Sequence, residues 1–191
     1  MYRAQPMTHD LDQQLEALVG KPISDSGATL APDAVNQPMI RHWAAAFEDA
    51  NPIHVDASAA AESRFGEIVA PPLMLQTWTM ATPKITGIAE RGGSPVEGSR
   101  AKVLTLLDEA GFVGTLASNS EFEIMRYLRL GDVVSATTVL ESVSPPKQTR
   151  LGSGYFVTWI TTYTVASETA DEETVGLQRF RIFKFKPGAA S

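Results

Sequence analysis

The second half of the chain restricts the fold more than anything else in it. Four stretches, "GTLASNSEFEIMRYLRL" from Gly114, "DVVSATTVLESV" from Asp132, "GYFVTWITTYTVAS" from Gly154 and "VGLQRFRIFKFK" from Val175, are long, rich in β-branched and aromatic residues, and partly alternating. Such runs suit a pleated surface with one buried face. Gly131-Asp132, Pro145-Pro146 and the acidic run at 168–173 break them, and breaks of this kind turn a chain back on itself. The pattern predicts about four long strands in an antiparallel sheet.

The first half reads differently. Leu11, Leu15 and Leu18 have helical spacing within 9–19, and a polar link follows at 21–38. A helix is predicted from Pro38 to Glu48, with Met39, Ile40, Trp43 and Phe47 on one face. Pro52 stops it. Asp56 caps a further short helix whose buried side carries Ala57, Ala60, Ala61 and Phe65. Pro71-Pro72 then opens "PPLMLQTWTM", apolar nearly all round, and a buried helix is expected there. The glycine-rich 89–99 reads as a surface excursion, and "AKVLTLLDEAG" as a helix stopping at Gly111. Helices followed by strands indicate an α+β domain, its sheet packed on a buried helix.

The 191 residues hold no cysteine, which removes disulfides, thiol nucleophiles and thiolate metal sites together. A net charge of −6 speaks against a nucleic-acid partner, since phosphate neutralisation needs a basic footprint. No apolar stretch is long enough to span a bilayer, and the N-terminus lacks a leader's apolar run. A cytoplasmic protein with no membrane partner is expected.

The chemistry concentrates in "FEDANPIHVD", residues 47–56, where Asp49 and His54 flank an Asn-Pro. A carboxylate and an imidazole side by side can hold or deprotonate a water and protonate a carbon. The Asn-Pro fixes the loop, so both side chains can turn toward one point. Spacing alone also fits a polar helix end followed by an ordinary loop histidine, because local polar pairs are frequent. With three histidines in the chain, His42 beside Trp43 and His9 in an extension, no metal cluster is expected.

"DANPIHVD" resembles the signature of the MaoC-like, (R)-specific enoyl-CoA hydratases, which have the hot-dog fold. Phe65-Gly66 before "IV" and the Pro72 segment, and "LRLGDVVSATTVL", agree with that family over roughly 36–187. The resemblance divides the chain into an N-terminal helical extension (1–35), one hot-dog domain (36–187) and a tail (188–191). "QPMIRHW", "LLDEAG", "PPKQT" and "RIFKFKP" resemble the larger subunit of heteromeric steroid-side-chain hydratases within the family. In that branch the large subunit can lack the motif's histidine, which this chain keeps as His54.

The resemblance implies reversible addition of water to a trans-2-enoyl-CoA, without metal or organic cofactor. Asp49 and His54 would be catalytic and Asn51 would hold the loop. The thioester oxygen needs a donor, because charge builds on it during addition. Pro71 falls where simple hydratases have a glycine amide, and Pro72 also lacks an N–H. Leu73 is therefore the first candidate, and Thr79 falls at a helix position near the reacting centre. Coenzyme A phosphates would need cations such as Arg126, Arg129, Lys147, Arg150, Arg179, Arg181, Lys184 or Lys186. One hot-dog unit leaves a sheet edge open, so a second such subunit, identical or not, is the expected partner. The rival readings are a non-catalytic acyl-binding subunit, a hot-dog thioesterase and an acyl-carrier-protein dehydratase.

Overall fold

A computed structural model describes residues 7–24, 27–81, 83–87, 101–166 and 172–187. Four α-helices are α1 (Met7–Glu16), α2 (Gln37–Ala46), α3 (Ala57–Glu62) and α4 (Lys102–Glu109). Six strands are β1 (Thr29–Leu30), β2 (Gly114–Ile124), β3 (Val134–Val143), β4 (Lys147–Thr149), β5 (Gly152–Ala166) and β6 (Glu172–Pro187). They form one antiparallel sheet in the order β1-β3-β5-β6-β2, with β4 also against β5. The four expected strands are β2, β3, β5 and β6. The expected glycine-rich excursion at 89–99 lies outside the described residues.

Partners across an antiparallel ladder share a face. Val157 faces Ile182, Thr161 faces Gln178, and Tyr163 faces Gly176 and Ala136. These residues define one inner face, and two covers lie on it. At one end Met74, Leu75 and Trp78 pack with Val134, Ala136, Tyr163, Val165 and Val175. Leu75 sits directly over Gly176, where an added Cβ would meet Leu75 Cδ2 at 2.7 Å and Glu123 O at 2.8 Å. Only glycine lets the segment come this close. At the other end Leu15 of α1 and Val103 and Leu107 of α4 pack on Leu140, Tyr155, Val157 and Ile182. Each such aliphatic side chain contributes about 1.5–3 kcal/mol on burial.

A long antiparallel sheet on a central helical segment is the hot-dog fold, as expected, but its centre departs from the expectation. Pro72–Thr79 is an eight-residue 3-10 helix, not an α-helix buried all round. Met74, Leu75 and Trp78 are buried, while Leu73 is 55% exposed and Met80 64%. The two prolines remove consecutive donors, Thr77 and Thr79 lose rotamer freedom in a helix, and Pro83 blocks extension. The tighter helix, in its usual short run, results. The second cover, α4, ends as expected at Gly111, in the left-handed region at φ 89.

Lys184 is a correction to the list of coenzyme A cations. It lies opposite Tyr155 on the inner face and is fully buried under α4, paired with Asp108 and donating to Thr115 Oγ1 at 2.9 Å. The alternation Arg179, Arg181, Lys184, Lys186 resembles an outer charged face, but it changes phase before Lys184 and turns that residue inward.

Candidate active site

Local bonds shape the 47–56 stretch. The Asn36 side chain caps α2 by accepting from Met39 N–H at 3.0 Å. At the other end Glu48 N–H donates to Ala45 O (3.4 Å) and Asp49 N–H to Ala44 O (2.9 Å). These crossed bonds close the helix around a left-handed residue, a place usually given to glycine. Here it is Glu48, at φ 54. The turn sends Asp49 off the helix axis. Asn51 N–H donates back to Asp49 Oδ1 (3.1 Å), and Asn51 Oδ1 accepts from Ile53 N–H (3.3 Å), capping the single 3-10 turn Pro52–His54. Asp56 then accepts from Ser58 and Ala59 N–H and starts α3.

Asp49 Oδ2 is thereby left facing His54 Nε2 at 3.9 Å. His54 is 2% exposed and its Nδ1 lies 2.6 Å from the carbonyl oxygen of Val69. A carbonyl only accepts, so Nδ1 carries the proton and Nε2 offers a lone pair in the neutral ring. The 3.9 Å gap is too long for a direct hydrogen bond, yet one oxygen about 2.8 Å from both atoms fits between them. The arrangement can orient a water and move its proton. Val69 is the residue that sequence reasoning missed. Its role rests on a main-chain atom, which no side-chain pattern announces.

The other sequence-nominated residues fall at varied distances from this pair. Asn51 is exposed and acts through the loop backbone. Leu73 carries the first N–H of the Pro72–Thr79 helix, whose start has no side-chain cap. Thr79 is half-buried at the opposite end, about 12 Å along the axis from Leu73 at the 3-10 rise. His42 is exposed on α2. Arg126 is engaged with Asp132 and Glu173 (2.9 Å each), Arg129 with Glu67 (3.3 Å) and Arg179 with Glu141 (2.8 Å). Lys186 lies 4.5 Å over the Phe112 ring, and Lys147 and Arg150 are exposed near β4. Among the described residues no cluster of three or more acidic or histidine side chains is placed to hold a metal.

The sheet, its central segment and the acid–histidine pair define a hot-dog domain with a site able to move a proton. The chain belongs to the FAS1-like dehydratases: the profile of their dehydratase domain region matches residues 24–172. It is 38% identical over 178 residues to a probable enoyl-CoA hydratase alpha subunit of Thermomonospora curvata, covering 93% of this chain and 53% of that protein. It is 39% identical over 170 residues to the 3-oxo-4,17-pregnadiene-20-carboxyl-CoA hydratase alpha subunit of Mycobacterium tuberculosis, covering 89% and 51%. The chain thus spans about half the length of these relatives. Among solved structures, a chain of the ChsH1-ChsH2 complex of Mycobacterium tuberculosis superposes with a TM-score of 0.78 at 35% identity, covering 96% of this chain and 95% of that one. No helix among the described residues is long and apolar enough to cross a membrane.

Proposed function

We propose that this chain is an (R)-specific enoyl-CoA hydratase acting on a bulky, steroid-type acyl group, in the cytoplasm and together with a second hot-dog subunit. The observation that carries the reading is the Asp49 Oδ2–His54 Nε2 pair at 3.9 Å, with the histidine tautomer set by Val69. Water held between the two acceptors hands one proton to the pair as its oxygen bonds to the β-carbon of the trans-2-enoyl thioester. The pair returns a proton from His54 Nε2 to the α-carbon, so the enzyme ends as it began. Charge passes through the enolate to the thioester oxygen, for which Leu73 N–H at the helix start is the proposed donor. Asn51 holds the loop, and Thr79 lines the binding region. The substrate class follows from the two relatives named as hydratase alpha subunits, one for a steroid-type CoA ester. The partner follows from the solved two-protein complex and from β2, the strand at the end of the sheet order.

A second reading is favoured by one observation. Pro71 and Pro72 withhold two amides from the start of the central helix, which suits a subunit that shapes the acyl pocket while its partner performs turnover. The deciding experiment follows the ultraviolet absorbance of a steroid-side-chain enoyl-CoA with the purified chain, alone and with a second, smaller hot-dog subunit coexpressed with it. Turnover abolished by both Asp49→Asn and His54→Ala is expected. Turnover that survives both substitutions would move catalysis to the partner and leave this chain the binding role.

A further inference from the structure

The inner face is apolar at both covered ends and polar between them. Gln178 and Tyr163 are over nine-tenths buried there, and Tyr163 donates to Gln178 Oε1 at 2.9 Å. Gln178 Nε2 donates in turn to Gln76 Oε1 (2.8 Å) and to Ser120 Oγ (3.1 Å). The direction of the relay follows from the Gln178 amide, whose Oε1 only accepts and whose Nε2 only donates. Burial, which pushes the Tyr163 hydroxyl up to about 12, keeps its proton in place. Both amide hydrogens of Gln178 are used. The relay therefore ends on two groups whose own hydrogens, the Gln76 amide and the Ser120 hydroxyl, have no acceptor among the described residues.

Two of the four joined groups, Gln178 and Tyr163, are buried and find their partners within the relay. Gln76 is half-buried and Ser120 exposed, so their free hydrogens are open to solvent or to a ligand. A structural tie between the central helix and the sheet needs only the Gln76–Gln178 bond. The branch to Ser120 leads away from the helix, across to β2, where Ser120 is exposed and Phe122, Trp159 and Phe180 are half-buried on the same face. Trp159 and Phe180 lie with ring centroids 5.4 Å apart. An apolar ring system has flat walls here, with two neutral donors beside them.

We infer that Gln76 and Ser120, oriented by Gln178 and Tyr163, form a recognition site for an oxygen substituent on the acyl group, remote from its thioester. The inference rests on the proposed hydratase reading. Neutral donors suit a ketone or hydroxyl oxygen and give no compensation to a carboxylate. Ser120 pairs with Phe180, four residues along β6 from the Gly176 that Leu75 covers and about 13 Å at the strand rise. Gln76 lies three residues and about 6 Å along the helix from Leu73, so the oxygen they hold sits away from the thioester. A site that hydrogen-bonds one oxygen discriminates against the analogue lacking it by about the value of that bond.

The test compares two ring-bearing enoyl-CoA thioesters that differ only in one ring ketone, using the protein coexpressed with a second hot-dog subunit. A preference in kcat/KM for the ketone of about 10-fold or more is expected, one good hydrogen bond's worth. Ser120→Ala, at an exposed edge position, should erase most of it while leaving the deoxy substrate unaffected; Gln178→Leu should act in the same direction. Equal effects on both substrates, or no preference in the wild type, overturn the inference. If neither thioester is hydrated, the hydratase reading falls by itself. The saturated ketone and deoxy thioesters then decide the site through Kd values from tryptophan fluorescence: a preference lost in Ser120→Ala supports it, and equal or undetectable binding overturns it.

Discussion

At the Val69 end of the sheet, the chain from Glu48 to Ala59 is held by bonds between residues two to five positions apart, and its one long reach is His54 to Val69, 15 positions away. At the far end, α4 and α1 are tied to the sheet by Lys184–Asp108 and Tyr155–Asp12, pairs 76 and 143 positions apart. The near end spends local turns on placing two side chains and leaves Leu73 and Phe47 more than half exposed. The far end buries a charge pair and closes an apolar cluster. Geometry of the site and stability of the domain are therefore separable.

The largest expected effect tests that separation directly. Asp49→Asn should lower kcat/KM about 10²–10⁴-fold with thermal unfolding almost unmoved, and a large drop in melting temperature would show the ends to be coupled. His54→Ala should lose as much activity but also some stability, since it empties a buried position and strands the Val69 carbonyl. Conversely, Asp108→Ala strands the fully buried Lys184 and should cost about 3–5 kcal/mol in denaturant unfolding. Turnover per folded molecule should stay near wild type, and a parallel loss of turnover would contradict the comparison.

Alkaline pH probes the middle. Tyr163 ionises near 12 in the fold against 10 in the unfolded chain, because burial disfavours its phenolate. The unfolded state thus loses its proton first. The contribution is whole below pH 10 and is lost as pH rises from 10 through 12. Between pH 9 and 11 this one group should lower stability by about 1 kcal/mol, and Tyr163→Phe should flatten that part of the curve in chemical denaturation. The smallest effect belongs to Glu48, held at φ 54. Glu48→Gly should raise stability by about 0.5–1 kcal/mol, and unchanged kcat would show that the turn, not the glutamate, aims Asp49.

What could be read from the sequence divides along the same line. The strands were legible because alternation and β-branching report a half-buried surface residue by residue. Asp49, Asn51 and His54 stand out through the resemblance of their motif to a family signature, since their spacing alone fits a polar helix end equally well. The 3-10 form of Pro72–Thr79 was not legible, although its prolines and threonines are the cause. The close approach of Leu75 to Gly176, roughly 100 residues away in the chain, is likewise invisible to any local pattern. The relay from Tyr163 to Ser120 joins residues 102 and 58 positions apart, and no local pattern connects them. Lys184 was misread for a related reason, since a charge buried by one distant carboxylate looks, in sequence, like any surface lysine.

Because the partner that sets the His54 tautomer is the carbonyl of Val69, it is encoded by no particular amino acid. Any residue able to keep that strand's path supplies the same oxygen, so position 69 is free to drift among apolar types while the chemistry is inherited unchanged. Loss of function through this contact would come from a shift of the main chain, for instance a slipped pairing with Arg129, and a comparison of sequences that counts only side chains would pass over it.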